Sequence, residues 1–121
     1  MSKPILYKPV TVLEATDFAF TMQLEVSIST YDNVLCVVYA DDNSEKIIAK
    51  LSLAEAEGFT VGITSVDDTT VLITIPGEDL TEVPYSFYSC EIACLQDDEK
   101  KIDFIVEKLF EVKPSKIWKS L

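Results

Sequence analysis

The sequence contains no histidine and no arginine. Without histidine, a serine or cysteine nucleophile lacks its usual base. Three thiolates also lack a fourth nitrogen ligand for zinc. Without arginine, the chain has lost the side chain that reads guanine edges and grips phosphate in a bidentate fork. The ten basic residues are all lysines and face twenty-one acidic ones, a net charge of -11. That balance repels both a nucleic-acid backbone and an anionic membrane surface. Glycine is scarce: Gly58, Gly62 and Gly77 are scattered, so no glycine-rich loop can cradle a phosphate. No apolar run approaches the roughly 20 residues that a membrane-spanning helix needs. The opening Met1-Ser2-Lys3-Pro4-Ile5-Leu6 lacks the long apolar stretch and small-residue cleavage site of a secretory signal. These absences predict a non-catalytic chain of cytoplasmic origin with no cofactor, no metal, no nucleic acid and no membrane among its partners.

Cysteine is also sparse. Cys36, Cys90 and Cys94 form an odd set with no regular spacing, a poor disulfide framework. Buried free thiols acting as small hydrophobes are expected. Carboxylates are plentiful but fall in turns, where water keeps their pKa values ordinary. Glu91, within a strand, is expected to face outward on the parity of Ser89.

What the chain does have is hydrophobic alternation. It is 121 residues long and 48% hydrophobic, enough for one domain with a real core. Phe18, Phe20, Met22, Leu24 and Val26 alternate with small or polar residues, the pattern of a half-buried strand. Asn33 to Ala40 is apolar on both faces and predicts a central strand. Further strands are predicted at Tyr7 to Leu13, Lys46 to Leu51, Phe59 to Thr64 (Phe59, Val61 and Ile63 alternating with Thr60, Gly62 and Thr64), Thr69 to Ile75 (with Val71, Ile73 and Ile75 inward), Tyr85 to Leu95 and Lys101 to Val112. Helical signals are weak. Ser52 with Glu55 resembles a capping box and Gly58 a stop, which predicts one or two turns over Leu53 to Glu57. A short turn of helix is also expected in Pro76 to Leu80. Seven or eight strands spaced near ten residues apart predict an all-β, antiparallel sandwich of immunoglobulin-like type over residues 1–112. A distinct C-terminal tail would follow over 113–121.

Two candidate interaction features emerge. If each strand crosses the domain once, alternate turns share an end. Asp41, Asp42, Glu45, Asp67, Asp68, Asp97, Asp98 and Glu99 would then form an acidic pole, a dock for a basic partner or for calcium. Ordinary solvated turns are the plain alternative, because aspartate suits turns. The tail, Lys113-Pro114-Ser115-Lys116-Ile117-Trp118-Lys119-Ser120-Leu121, is basic and carries the single tryptophan. Ile117, Trp118 and Leu121 are its candidate partner-binding residues. Packing against the sandwich is the alternative.

The segments "DFAFTMQL", "IIAKLS", "DDTTVLITIPGEDL", "VPYSFYSCEIA" and "KLFEVK" resemble the immunoglobulin-like domains of tailed-phage and prophage baseplate and tail proteins. The resemblance spans Asp17 to Val112. It implies a structural or assembly module acting through protein–protein contacts, with virion components or further copies as partners, in a virion or at its assembly site in the bacterial cytoplasm. Tyr88-Ser89-Cys90 is similar to the tyrosine corner of antibody-type domains, which would make Cys36 the facing cysteine. The departure is that no tryptophan follows Cys36. The rival reading is a secreted or surface adhesion module that binds a saccharide or host protein, with Tyr31, Tyr39 and Tyr85 gathered on one face. A closed barrel around a small apolar ligand is a third.

Overall fold

The computed structural model describes residues 10–121. The residues before Val10, which include the Met1–Leu6 opening and the first three residues of the predicted Tyr7–Leu13 strand, lie outside them. Nine strands follow in order: β1 (Val10–Leu13), β2 (Phe18–Gln23), β3 (Asn33–Ala40), β4 (Ile47–Ser52), β5 (Thr60–Val61), β6 (Ile63–Ser65), β7 (Thr70–Ile75), β8 (Phe87–Gln96) and β9 (Glu99–Lys113). They form a six-stranded sheet in the order β1-β9-β8-β3-β4-β5 and a three-stranded sheet in the order β2-β7-β6. The second, seventh and sixth strands thus face a sheet built on the ninth, eighth and third, which the fourth and fifth extend. That is the variable-type immunoglobulin-like arrangement.

The alternation read from the sequence is what closes the sandwich. In β2 and β7 the residues Met22, Val71, Ile73 and Ile75 point inward and are buried. In β3 and β8 the inward residues are Val34, Cys36, Val38 and Ala40, and Tyr88, Cys90, Ile92 and Cys94. Each fully buried aliphatic or aromatic side chain contributes about 1.5–3 kcal/mol relative to exposure. The two sheets meet through aromatics. Phe18 of β2 lies 4.9 Å from Phe110 of β9, which stacks at 5.3 Å on Tyr88 of β8. The Tyr88 hydroxyl donates to the Pro84 carbonyl at 2.6 Å, so the tyrosine corner is present.

The cysteines depart from the antibody pattern. Cys36 and Cys90 lie on adjacent strands of one sheet, offset by one pair: Cys36 stands opposite Ile92, and Cys90 opposite Val38. The antibody bridge joins opposing sheets, and the opposing sheet of β2, β7 and β6 carries no cysteine. Cys36 is therefore not a facing cysteine, and all three thiols are free and buried. A hydrogen bond with Cys90 and burial hold the Cys36 thiol well above its usual range, and burial pushes Cys94 up to about 11.

Three predicted elements change. No helix forms over Leu53 to Glu57. The Asn33 side chain accepts from the Ala54 N–H at 2.8 Å and donates to its carbonyl at 3.1 Å, while Leu53 N–H donates to Val34. That backbone is tied to the head of β3 and cannot coil. The single strand expected from Phe59 to Thr64 is split. Val61 in β5 is 56% exposed, whereas Ile63 in β6 belongs to the other sheet and is 2% exposed. Gly62 is the crossover, donating its N–H to Ser52 in one sheet and accepting from Thr74 in the other. The strand expected through Val26 ends at Gln23, because Glu25 adopts a left-handed φ of 58°. The turn expected in Pro76 to Leu80 is present as a 3-10 helix over Gly77–Leu80. Division into two sheets also sets aside the closed barrel.

Candidate docking surface

The outer face of the six-stranded sheet follows from the inner one. Because β3 buries its even-numbered residues, Leu35, Val37 and Tyr39 turn outward. Register then sets their neighbours. Val37 lies between Glu91 of β8 and Lys50 of β4, and Glu91 stands opposite Ile105 of β9. Tyr39 stands opposite Ile47, beyond an irregularity in the β3–β4 pairing. Val37, Tyr39, Ile47 and Ile105 line a concavity of about 380 Å³ together with Glu45 and Glu91. Ile47 is 52% exposed and Ile105 45%. Bare β-branched side chains on a sheet face cost solubility, so a cluster of them marks a contact surface.

The groove is electronegative. Burial, joined by the charges of Glu91, Asp41 and Glu107, raises the Tyr39 phenol above its ordinary value. Glu91 faces outward as expected, and a hydrogen bond with Asp103, together with burial, raises its pKa. Asp103 is held low against the pull of its own burial by hydrogen bonds from Lys100 and Glu91, the Lys100 contact being 2.8 Å. Lys50, the nearest cation in register, lies over the Phe59 ring at 4.8 Å.

The acidic turns do not share one end. Residues 41–45 follow β3 at its lower end, where Asp41 N–H donates to Phe87 at the start of β8. Asp67, Asp68, Asp97, Asp98 and Glu99 lie at the upper end. There the Asp68 carboxylate accepts from Ser27 and Ser29, and Asp32 accepts from the Asp97 N–H at 2.7 Å. The alternation of ends breaks at one step. β4 and β5 run parallel, so residues 53–59 return across the domain without forming a strand. The proposed pole of Asp41, Asp42, Glu45, Asp67, Asp68, Asp97, Asp98 and Glu99 is thus two separate groups. Among the described residues, no three acidic, cysteine or histidine side chains are placed to hold a metal ion.

The tail segment leaves β9 beside β1, where Glu14 N–H donates to the Lys113 carbonyl. Ser115 is buried, and its N–H donates to the Glu14 carboxylate at 3.0 Å. Glu14 also accepts from the Tyr85 hydroxyl at 2.8 Å, and Lys119 sits 4.0 Å from it and 5.3 Å from the Tyr85 ring centre. Beyond this anchor Ile117, Trp118 and Leu121 are 76%, 44% and 92% exposed. Glu14 was not a candidate from sequence; a lone acid after a short strand carries no signal of a partner 101 residues away. Tyr31 packs on the core, Tyr39 lines the groove and Tyr85 meets the tail, so these three tyrosines do not gather on one face.

No family model matches the chain, and no curated protein matches it. Among solved structures it is similar to the NK cell receptor Nkp44, described as a triggering partner in natural cytotoxicity. The TM-score is 0.49 at 15% sequence identity, over 88% of this chain and 100% of that one. The immunoglobulin-like assignment rests on the strand order and the tyrosine corner.

Proposed function

We infer that this domain is a non-catalytic recognition module that binds a protein segment in the groove on its six-stranded sheet. The observation that carries the reading is the cluster Val37, Tyr39, Ile47 and Ile105 on an outer face, with Ile47 and Ile105 about half-exposed and Glu45 and Glu91 set among them. Apolar walls supply burial energy, and the two carboxylates select a partner that brings cations. The absence of histidine, and the use of the one buried carboxylate among the described residues, Glu14, to anchor the Ser115 backbone, support a binding role rather than catalysis.

The finer reading is an assembly module of a phage or prophage particle, working in the virion or at its assembly site in the bacterial cytoplasm. Its support is the resemblance of strands such as "DFAFTMQL" and "DDTTVLITIPGEDL" to baseplate and tail domains. The adhesion reading has less support, because its aromatic platform is dispersed over three regions.

The test is a random-peptide display selection against the whole chain. Selected peptides should combine aliphatic or aromatic residues with lysine or arginine. Ile105→Asp and Ile47→Asp, both at exposed positions, should each weaken their binding by about tenfold or more. Binders indifferent to both substitutions, or no binders, would count against the groove.

A further inference from the structure

We propose that the groove of one copy receives the segment Lys116–Leu121 of a second copy, giving a head-to-tail assembly. This rests on the groove being a docking site, as inferred above, and names its occupant. The first argument is charge. Residues 113–121 hold three lysines and no acid, while the other 112 residues hold seven lysines against twenty-one carboxylates, a net of -14. The segment is the most lysine-dense stretch without an acid in an acidic protein, and the groove carries Glu45 and Glu91. The second is apolar complementarity. Ile117 and Trp118 are exposed between Lys116 and Lys119, exposed Leu121 follows, and the groove offers Val37, Tyr39, Ile47 and Ile105. A tryptophan flanked by cations is the form of anchor such a pocket selects.

Geometry makes the contact intermolecular. The Ser115–Glu14 hydrogen bond pins the segment beside β1, on one side of β9. The groove runs from Ile105, in the middle of β9, across β8 and β3 to Ile47 of β4, away from β1. A chain filling its own groove would have to break that anchor and double back over β9. A symmetric groove-to-groove dimer is disfavoured too, since it sets Glu45 and Glu91 of each copy against those of the other. The remaining solution uses two different patches, which is a heterologous interface, and repeats into a ring or an open filament.

The experiment is a complementation test by sedimentation velocity on the full chain. The unaltered protein should form species that grow with concentration up to about 1 mM. Ile105→Asp lacks a working groove, and Ile117→Ala/Trp118→Ala/Leu121→Ala lacks a working tail; each should be monomeric. Mixed, they should form a 1:1 pair and nothing larger, because one intact groove meets one intact tail. A synthetic peptide of residues 113–121 should bind the tail variant with a blue shift of its tryptophan emission, and Lys116→Glu in the peptide should weaken it about tenfold. An unaltered chain that stays monomeric throughout would overturn the proposal, as would a self-associating chain whose two variants fail to pair. If display-selected peptides occupy the groove and the 113–121 peptide does not, the occupant is wrong and the groove stands. If neither binds there, both fall.

Discussion

The Tyr88 hydroxyl reaches back four residues to the Pro84 carbonyl, 2.6 Å away, and ties the entry of β8 to the loop that precedes it. The same ring is fully buried and stacks on Phe110, so one side chain fixes both the loop and the middle of the core. Removing the hydroxyl takes its partner from a carbonyl in the exposed loop. Tyr88→Phe should destabilise the domain by about 0.5–1.5 kcal/mol in urea unfolding, with the slope unchanged. Burial also pushes this phenol up to about 12, from an ordinary value of 10.0. A raised value means the folded state holds the proton more tightly. That contribution is complete below pH 10 and is lost as the pH climbs toward 12. The gap in stability between Tyr88→Phe and the unaltered protein should therefore close across that alkaline window. A gap constant with pH would contradict this assignment.

Strands with strict alternation were legible because burial of one sheet face leaves a period-two trace: Phe18, Phe20 and Met22, or Val71, Ile73 and Ile75. Three features left no such trace. Phe59, Val61 and Ile63 keep perfect alternation across a change of sheet, because Gly62 redirects the backbone without altering side-chain parity. The return leg 53–59 carries a capping pattern, yet a distant asparagine ties its backbone, and that tie moved the acidic turns to opposite ends. The groove was half legible. Apolar residues on both faces of β3 predicted its central position, but outward Val37 and Tyr39 have the same polarity whether a partner covers them or not. Glu14 and Ser115 meet across most of the chain, and neither residue type advertises that distance.

Gly62 is required for space rather than for a left-handed backbone. A β-carbon there would stand 2.8 Å from Leu51 Cδ2 and 3.0 Å from the Thr74 carbonyl oxygen. One contact is a packed side chain and the other is backbone of the opposing sheet, so relief requires moving the sheets apart. Gly62→Ala should cost about 1–3 kcal/mol by thermal or urea unfolding. A neutral result would mean that the crossover between β5 and β6 is looser than its hydrogen bonds to both sheets imply.

The β8–β9 hairpin turns on Asp97 and Asp98, whose φ angles of 54° and 61° are both left-handed. Two successive residues of that hand make the turn that matches strand twist, and asparagine followed by glycine suits it best. The aspartates meet the geometry at some backbone cost, with the Asp97 N–H bonded to Asp32. Asp97→Asn/Asp98→Gly keeps that N–H and relieves the strain, and should stabilise the domain by about 0.5–1.5 kcal/mol. Asp98→Val, β-branched at the same φ, should destabilise it. Equal stabilities for the two variants would show that turn strain is not the governing factor.

Glu14 decides whether the basic segment stays anchored. Its side chain is 5% exposed and accepts from the Ser115 N–H and the Tyr85 hydroxyl. Those two bonds, the Ser115 one first, hold its carboxyl below the ordinary 4.5, against the pull of its own burial. A depressed value means the anchor is at full strength above pH 4.5 and weakens as the pH falls through the folded-state value. Trp118 reports on it, because its backbone N–H donates to the Ser115 hydroxyl at 3.0 Å, which ties its place to the anchor, and it is the only tryptophan. Its emission should be flat from neutral pH down to about 4.5 and then change in a single acid step. Tyr85→Phe removes one of the bonds that depress the carboxyl, and should move the step to higher pH. Glu14→Gln has no charge to lose and should abolish the step. The same step in Glu14→Gln as in the unaltered chain would mean that acid releases the segment through some other group.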